Sequence, residues 1–247
     1  MSTGKHQLNK NLIEYYARRA TEYEIIYQKP ERQKDIQYLA GILIAIFKER
    51  DVLEVACGTG FWTQFIAESA NSILATDCNR EVIKVAKYKD YKSCKVSFWE
   101  SDAYSLSNAT GRFTGGFCGF WWSHLPKARI QHFIKMFHSK LQEDALVVMI
   151  DNKYVEGSST PLSRTDDDGN TYQNRKLGDG SQYEVLKNFP GEEEIITSIK
   201  DYSKNFQYID LDYYWLVKYH VKKSLAGITG FPPSARGGQV AGMTSIT

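Results

Sequence analysis

The chain has 247 residues, 42% hydrophobic and 24% charged, enough to bury the core of one large α/β domain with additions. Its 31 Lys plus Arg nearly cancel 29 Asp plus Glu, so no strong field gathers phosphate backbones or anionic lipid, which disfavours nucleic acid and membrane as partners. Cys57, Cys78, Cys94 and Cys118 lie far apart with no C-x-x-C pair, which disfavours a zinc site or a redox dithiol and reads as four reduced core thiols.

The polar start, Met-Ser-Thr-Gly-Lys-His-Gln, has no signal-peptide core, and the longest apolar run, Leu39 to Phe47, is shorter than the ~20 residues a membrane helix needs. A soluble cytoplasmic protein is expected, and nothing in the sequence indicates an oligomer. Residues 10–28 read as one helix with Tyr16, Ala20, Tyr23 and Tyr27 on one face. Pro30 and Glu31 then suit the start of a second helix, whose buried stripe is Ile36, Leu39, Ala40, Leu43, Ile44 and Phe47.

From residue 51 short apolar runs alternate with amphipathic segments, the pattern of a parallel sheet covered by helices. Strands are expected at 51–56, 72–77, 94–99, 114–121 and 144–151, with helices at 62–69, 80–89 and 126–140. The stretch 152–190 interrupts this rhythm and carries a hairpin of 171–177 and 182–186 on Gly178-Asp179-Gly180. A helix at 191–202 and two antiparallel strands at 205–211 and 212–221 follow, and the Gly- and Ser-rich 225–247 is expected to be a disordered tail. Residues 1–224 thus form one domain: a helical cap at 10–49, a ligand-binding core at 51–151, the insertion, and the elements of 191–221.

The strongest chemical signal is Val52-Leu53-Glu54-Val55-Ala56-Cys57-Gly58-Thr59-Gly60-Phe61-Trp62-Thr63, an apolar strand entering a glycine turn and a helix. Gly58 and Gly60 let a ligand approach the backbone, and the helix start offers free N–H groups. Such a turn also suits a nicotinamide or flavin dinucleotide. Against that reading, Thr63 stands where a third glycine belongs, Glu54 would oppose a pyrophosphate, and two helices precede the strand.

These residues resemble the class I S-adenosylmethionine-dependent methyltransferase family, whose first motif has the form acid-x-x-(Gly or Cys)-Gly-x-Gly. The resemblance covers roughly 30–151 and 191–221. It implies an α/β, Rossmann-like, doubly wound, seven-stranded, mainly parallel sheet with an antiparallel last strand, and S-adenosylmethionine as cofactor. It also implies that Glu54 and the backbone of Cys57, Gly58 and Gly60 line the methionyl and ribose part, and that Asp77, 17 residues after Gly60, accepts both ribose hydroxyls. Ser101, Asp102 and Ala103 would contact the adenine, with Asn79 beside it. Helix capping is the alternative for Asp77, as it is for Asp102 ahead of a short helix at 103–107.

The same resemblance makes Gly119 to His124 the floor between methyl donor and acceptor. His124, with an unperturbed pKa of about 6.5, would suit a general base; a packing or capping histidine is the alternative. Asp151-Asn152 resembles the metal-binding pair of catechol-type methyltransferases, but the acid those enzymes need after strand four is replaced here by Trp121-Trp122-Ser123-His124, so no metal is expected and the pair would shape the pocket. Tyr15, Tyr16, Tyr23, Tyr27, Trp121 and Trp122 would enclose a flat ring or steady a cation, or else simply pack as core. Arg19, Arg175, Tyr183, Glu184 and Lys187 are further wall candidates, Arg175 or Lys187 suiting a substrate carboxylate.

Residues 14–23, 27–33 and 179–190 resemble a bacterial subgroup of small-molecule methyltransferases. The expected reaction is methyl transfer to an O, N or electron-rich C atom of a small, aromatic molecule. A dinucleotide oxidoreductase and a macromolecule methyltransferase stand as alternatives.

Overall fold

The computed structural model describes residues 12–20, 22–92 and 94–222. Helix α1 spans 12–19 and is followed by 3-10 turns at Tyr23–Gln28 and Pro30–Arg32 that lead into α2 (Gln33–Ile46). Then come β1 (Asp51–Val55), α3 (Phe61–Ile66), β2 (Ser72–Asp77), α4 (Arg80–Lys87), β3 (Lys95–Glu100), β4 (Phe113–Gly119), α5 (Ile130–Ser139) and β5 (Leu141–Asn152). Three short strands, β6 (Arg164–Thr165), β7 (Thr171–Lys176) and β8 (Gln182–Leu186), precede α6 (Glu192–Ile199), β9 (Ser203–Asp210) and β10 (Tyr214–Val221).

The main sheet has the order β3-β2-β1-β4-β5-β10-β9. β1 to β5 are parallel, and β10 runs antiparallel to both β5 and β9. β1 lies between β2 and β4, which is why Val52, Leu53 and Val55 form a continuous buried run rather than an alternating one. This is the Rossmann-like arrangement expected from the sequence.

Helix registers follow the same logic. α4 buries Val82, Ile83 and Ala86, is capped by the Asn79 side chain accepting from Glu81 N–H at 3.0 Å, and ends in Lys84 and Lys87. α2 buries Ile36, Leu39, Ala40 and Leu43, and Phe47 follows it into the core, but Ile44 is only half-buried.

Several expectations need correction. The single helix over 10–28 breaks after residue 19 and continues as three-residue-spaced turns, with Glu22 N–H donating to the Arg19 carbonyl at 2.9 Å and Ile25 N–H to the Glu22 carbonyl at 3.2 Å. Docking of Tyr27 flat on Phe61, with ring centres 3.9 Å apart, holds this tighter path in place of a regular helix. The helix over 103–107 is absent: residues 103–105 form a turn. The hairpin acquires β6 as a third strand too short to leave a sequence signal. Of the cysteines, Cys57 and Cys118 are buried, but Cys94 is half-buried and Cys78 exposed, because the latter lies beyond the end of β2. The expected tail at 225–247 lies outside the described residues. Among the described residues no helix is long and apolar enough to cross a membrane.

The three-stranded sheet closes over the carboxyl ends of the main strands. Val185 of β8 packs with Leu12 and Tyr15 of α1, and the Asn188 N–H donates to the Ser123 carbonyl at 2.7 Å. Cap and insertion therefore meet above the strand ends.

Candidate active site

Strand order reverses between β1 and β4, and the crevice at such a reversal is where open α/β sheets take ligands. At its mouth the backbone is left-handed at Ala56 (φ 57°), Gly58 (φ 55°) and Phe120 (φ 58°). For Ala56 and Phe120 this costs about 1–2 kcal/mol each, and strain placed at two neighbouring strand ends is typical of a functional edge. A Cβ on Gly58 would stand in open space, so this glycine leaves room beside the turn. Gly60 does not face the cavity: its missing Cβ makes way for the Tyr91 hydroxyl and Ala86.

Asp77 ties the turn to β2. Its Oδ2 accepts the Gly58 N–H at 2.9 Å and its Oδ1 the Asn79 N–H at 2.8 Å. The cap of α4 is Asn79, whose Nδ2 also donates to the Ile13 carbonyl at 2.9 Å and so anchors α1. Capping is thus not what Asp77 does. Asp102 accepts the Tyr104 N–H at 2.9 Å in a turn.

Three adjoining chambers open here. A strand-end cavity of about 190 Å³ brings together Gly58, Asp77, Asn79, Ser101, Asp102, Ala103 and Gly119, with apolar walls from Ile13, Val82 and Tyr104. A chamber of about 20 Å³ beside it holds Glu54, Cys57, Gly58, Gly119, Tyr23 and Tyr27. A larger cap cavity of about 300 Å³ takes in Tyr15, Tyr16, Arg19, Tyr23, Tyr27, Asn152 and Arg175.

Glu54 is fully buried, its Oε2 has no hydrogen-bond partner, and burial, with Asp77 adding repulsion, pushes its pKa up to about 8. Burial likewise raises Asp77 to about 6 against the pull of the Asn79 and Gly58 N–H groups. The Ser101 hydroxyl is buried without a partner too.

Tyr16, Tyr23, Phe120 and His124 line both large cavities and form the wall between them. His124 Nδ1 donates to the Leu186 carbonyl at 2.8 Å, which leaves Nε2 to accept from the Tyr16 hydroxyl at 2.8 Å. Burial, reinforced by the Lys187 charge, lowers the His124 pKa to about 3, so the expectation of an unperturbed imidazole does not hold. Burial holds the Tyr16 hydroxyl well above its usual range, so it keeps its proton.

Behind this wall lies a buried ion pair. Lys187 Nζ sits 2.6 Å from Ser123 Oγ and 3.2 Å from Asp151 Oδ1, while Asp151 Oδ2 accepts the Ser123 N–H at 2.8 Å. Burial alone would raise Asp151; Lys187, Ser123 and the other donors outweigh it and hold the carboxyl below its usual range. Asp151 is therefore spent on the scaffold and lines none of the three chambers. Trp122 is also structural, packed edge-on against Trp215 in the core. Trp121 faces the strand-end cavity rather than the cap cavity, and Tyr183 turns to Tyr15 and Glu14 outside both. Glu184 pairs with Arg164 on the outer face.

Sequence reasoning missed Arg32 and Gln173 as wall residues. Arg32 stands off the apolar stripe of α2, and residues distant in sequence, Asn152 and Ser158 on one side and Tyr213 and Tyr214 on the other, make it buried.

The sequence model of a family described as "Methyltransferase domain" matches residues 52–144, which span β1 to the start of β5. Over this segment, less than half of its length, the chain is similar to methyltransferases. A malonyl-[acyl-carrier protein] O-methyltransferase of Hamiltonella defensa is 32% identical over 83 residues; the match spans 33% of this chain and only 31% of that relative. The solved DhpI-SAM-HEP complex is similar over 87% of this chain and 98% of its own, with a TM-score of 0.71 and 22% identity. A Burkholderia thailandensis 1,6-didemethyltoxoflavin-N1-methyltransferase with bound 1,6-didemethyltoxoflavin and S-adenosylhomocysteine is similar over 88% and 90%, with a TM-score of 0.58 and 13% identity. These likenesses concern the fold.

The residues present fit the cofactor of the family. The unpartnered Glu54 and Ser101 oxygens, the carboxylates of Asp77 and Asp102 and the space left at Gly58 suit a cationic ligand with hydroxyls and an amine. A pyrophosphate would meet Glu54 and Asp77 at the same turn, in the chambers of Gly58.

Proposed function

We propose that this protein is a methyltransferase that moves a methyl group from S-adenosylmethionine, seated in the strand-end cavity, to an O, N or electron-rich C atom of a small molecule with a flat apolar part in the cap cavity. The observation that carries this reading is the shared wall: Tyr16, Tyr23, Phe120 and His124 separate a cavity with acidic groups from an aromatic one. The Burkholderia relative, named for a small-molecule acceptor, supports the choice of acceptor size.

When bound, the cofactor supplies a sulfonium methyl already activated for in-line attack. In the proposed roles, Asp77 accepts from hydroxyls, Asp102 and Ser101 from an amine edge, and Glu54 balances positive charge. Tyr15, Tyr16, Tyr23 and Tyr27 lie in an edge-to-face chain with centres 5.0, 5.6 and 5.9 Å apart, so they pack on one another and wall the acceptor at once. His124, neutral and bonded on both sides, acts as a positioning residue rather than a base. Holding both reactants accounts for the catalysis, an effect that can reach about 7–11 kcal/mol.

Calorimetry with S-adenosylhomocysteine beside NADH tests the cofactor, and labelled S-adenosylmethionine with phenols, indoles, amines and aromatic carboxylates tests the acceptor. The expected results are micromolar or tighter binding of S-adenosylhomocysteine and label in a small molecule. Binding of NADH alone, or label only in polymer, overturns the reading.

A further inference from the structure

The cap cavity is strongly one-sided in charge. Arg19, Lys29, Arg32, Arg175 and Lys187 line it, and none of its lining residues is Asp or Glu. The whole chain, by contrast, is nearly neutral, with a net charge of +2. Two of the five cations are answered from outside the cavity: Lys187 by Asp151 at 3.2 Å and Lys29 by Glu31 at 3.9 Å. Among the described residues, no carboxylate lies within 4.0 Å of Arg19, Arg32 or Arg175.

Arg32 is the decisive member. It is only 4% exposed, and a buried charge without a counter-charge is costly. Its Nη2 donates to Ser158 Oγ at 3.0 Å and its Nη1 makes a long 3.4 Å contact with Asn152 Oδ1, but its Nε is buried with no partner at all. The faces of Tyr213 and Tyr214 lie 5.3 and 5.7 Å from the guanidinium carbon, which supports the charge without using the in-plane N–H groups. Arg175 spends one donor on Gln173 Oε1 at 2.5 Å and Arg19 one on the Tyr15 hydroxyl at 2.7 Å. Each guanidinium has five donors, so most of the hydrogen-bonding capacity remains to be met.

We infer that the acceptor carries an oxyanion, a carboxylate or a phosphoryl group, which Arg32 and Arg175, with Arg19 beside them, grip while the methyl-accepting atom faces the Tyr16–His124 wall. Planar guanidinium forks match the geometry of such groups. This deepens, and rests on, the reading of the cap cavity as the acceptor site.

Protein saturated with S-adenosylhomocysteine is titrated calorimetrically with 4-hydroxybenzoate and phenyl phosphate, beside the uncharged 4-hydroxybenzamide and phenol. The anionic members of the panel are expected to bind about tenfold or more tighter than the neutral ones. The ratio between the two anions tells carboxylate from phosphoryl. Arg175→Gln and Arg32→Gln should each weaken the anions about tenfold while S-adenosylhomocysteine binding stays within about twofold. Should Arg32→Gln fail to fold, Arg175→Gln and Arg19→Gln carry the comparison. Equal binding of neutral and anionic probes, no binding of either anion, or unchanged anion affinity in the variants overturns the inference. Failure of the wild type to bind S-adenosylhomocysteine instead sinks the functional reading, and the same anion titration without cofactor still reads the charge of the cavity.

Discussion

The Tyr16 hydroxyl donates to His124 Nε2 across 2.8 Å, and this bond sits in the wall between the two large cavities. Because the Leu186 carbonyl takes the other ring proton, the imidazole is held in one tautomer and its basic nitrogen is occupied. No limb of the plot of kcat/KM against pH near the ordinary histidine value of about 6.5 should therefore belong to His124, and His124→Gln should leave the shape of the plot unchanged. A limb there that vanishes in the variant would make His124 a base after all. Tyr16→Phe strands a buried acceptor and should cost about 1–3 kcal/mol in urea denaturation.

His138 gives a pH dependence of stability. Burial lowers its pKa to about 4. The unfolded chain takes up the proton near 6.5, so between these values it binds more protons than the native state, and stability falls as pH falls. The loss is about 2 kcal/mol at pH 5 relative to pH 7 or above. Wild type and His138→Gln compared by denaturant titration at pH 7 and about pH 5 should differ in slope by this amount, with the variant the less sensitive.

Glu54 carries the opposite sign. Its folded pKa of about 8 lies above that of the unfolded chain, so its contribution is fully present below about pH 4.5 and is lost as pH rises through 8. A cation beside it favours the charged form. Binding of S-adenosylmethionine near pH 7 should thus release most of one proton, seen as a dependence of the calorimetric enthalpy on buffer ionisation heat. Glu54→Gln should abolish that dependence; its persistence would place the titrating group elsewhere.

The Lys187–Asp151 pair is inside the scaffold, with Lys187 at 5% and Asp151 at 0% exposure. Lys187→Met leaves an uncompensated carboxylate and should destabilise the protein by about 3–5 kcal/mol. Adding Asp151→Asn should recover part of that loss. A Lys187→Met protein as stable as wild type would show that the pair is not coupled.

The parallel core was legible in the sequence because apolar period and glycine chemistry are local: Val52 to Val55, Gly58, Asp77 and Ser101-Asp102-Ala103 announce themselves within a few residues and meet as expected at the strand ends. What lies above those ends was not, because it depends on which segments pack together. The short chain path after α1 turns Tyr23 into all three chambers, while Trp122 and Asp151, adjacent in sequence to lining residues, point into the scaffold. Most of all, the titration of His124 was read from an isolated imidazole, whereas burial beside Lys187, a residue 63 positions later in the chain, sets its real state. Sequence alone determined the Rossmann-like core and which residues gather at its strand ends, since those rest on local motifs; only tertiary packing decided which charges stand unpaired around the cap cavity, since solvation and counter-charges are properties of neighbours in space.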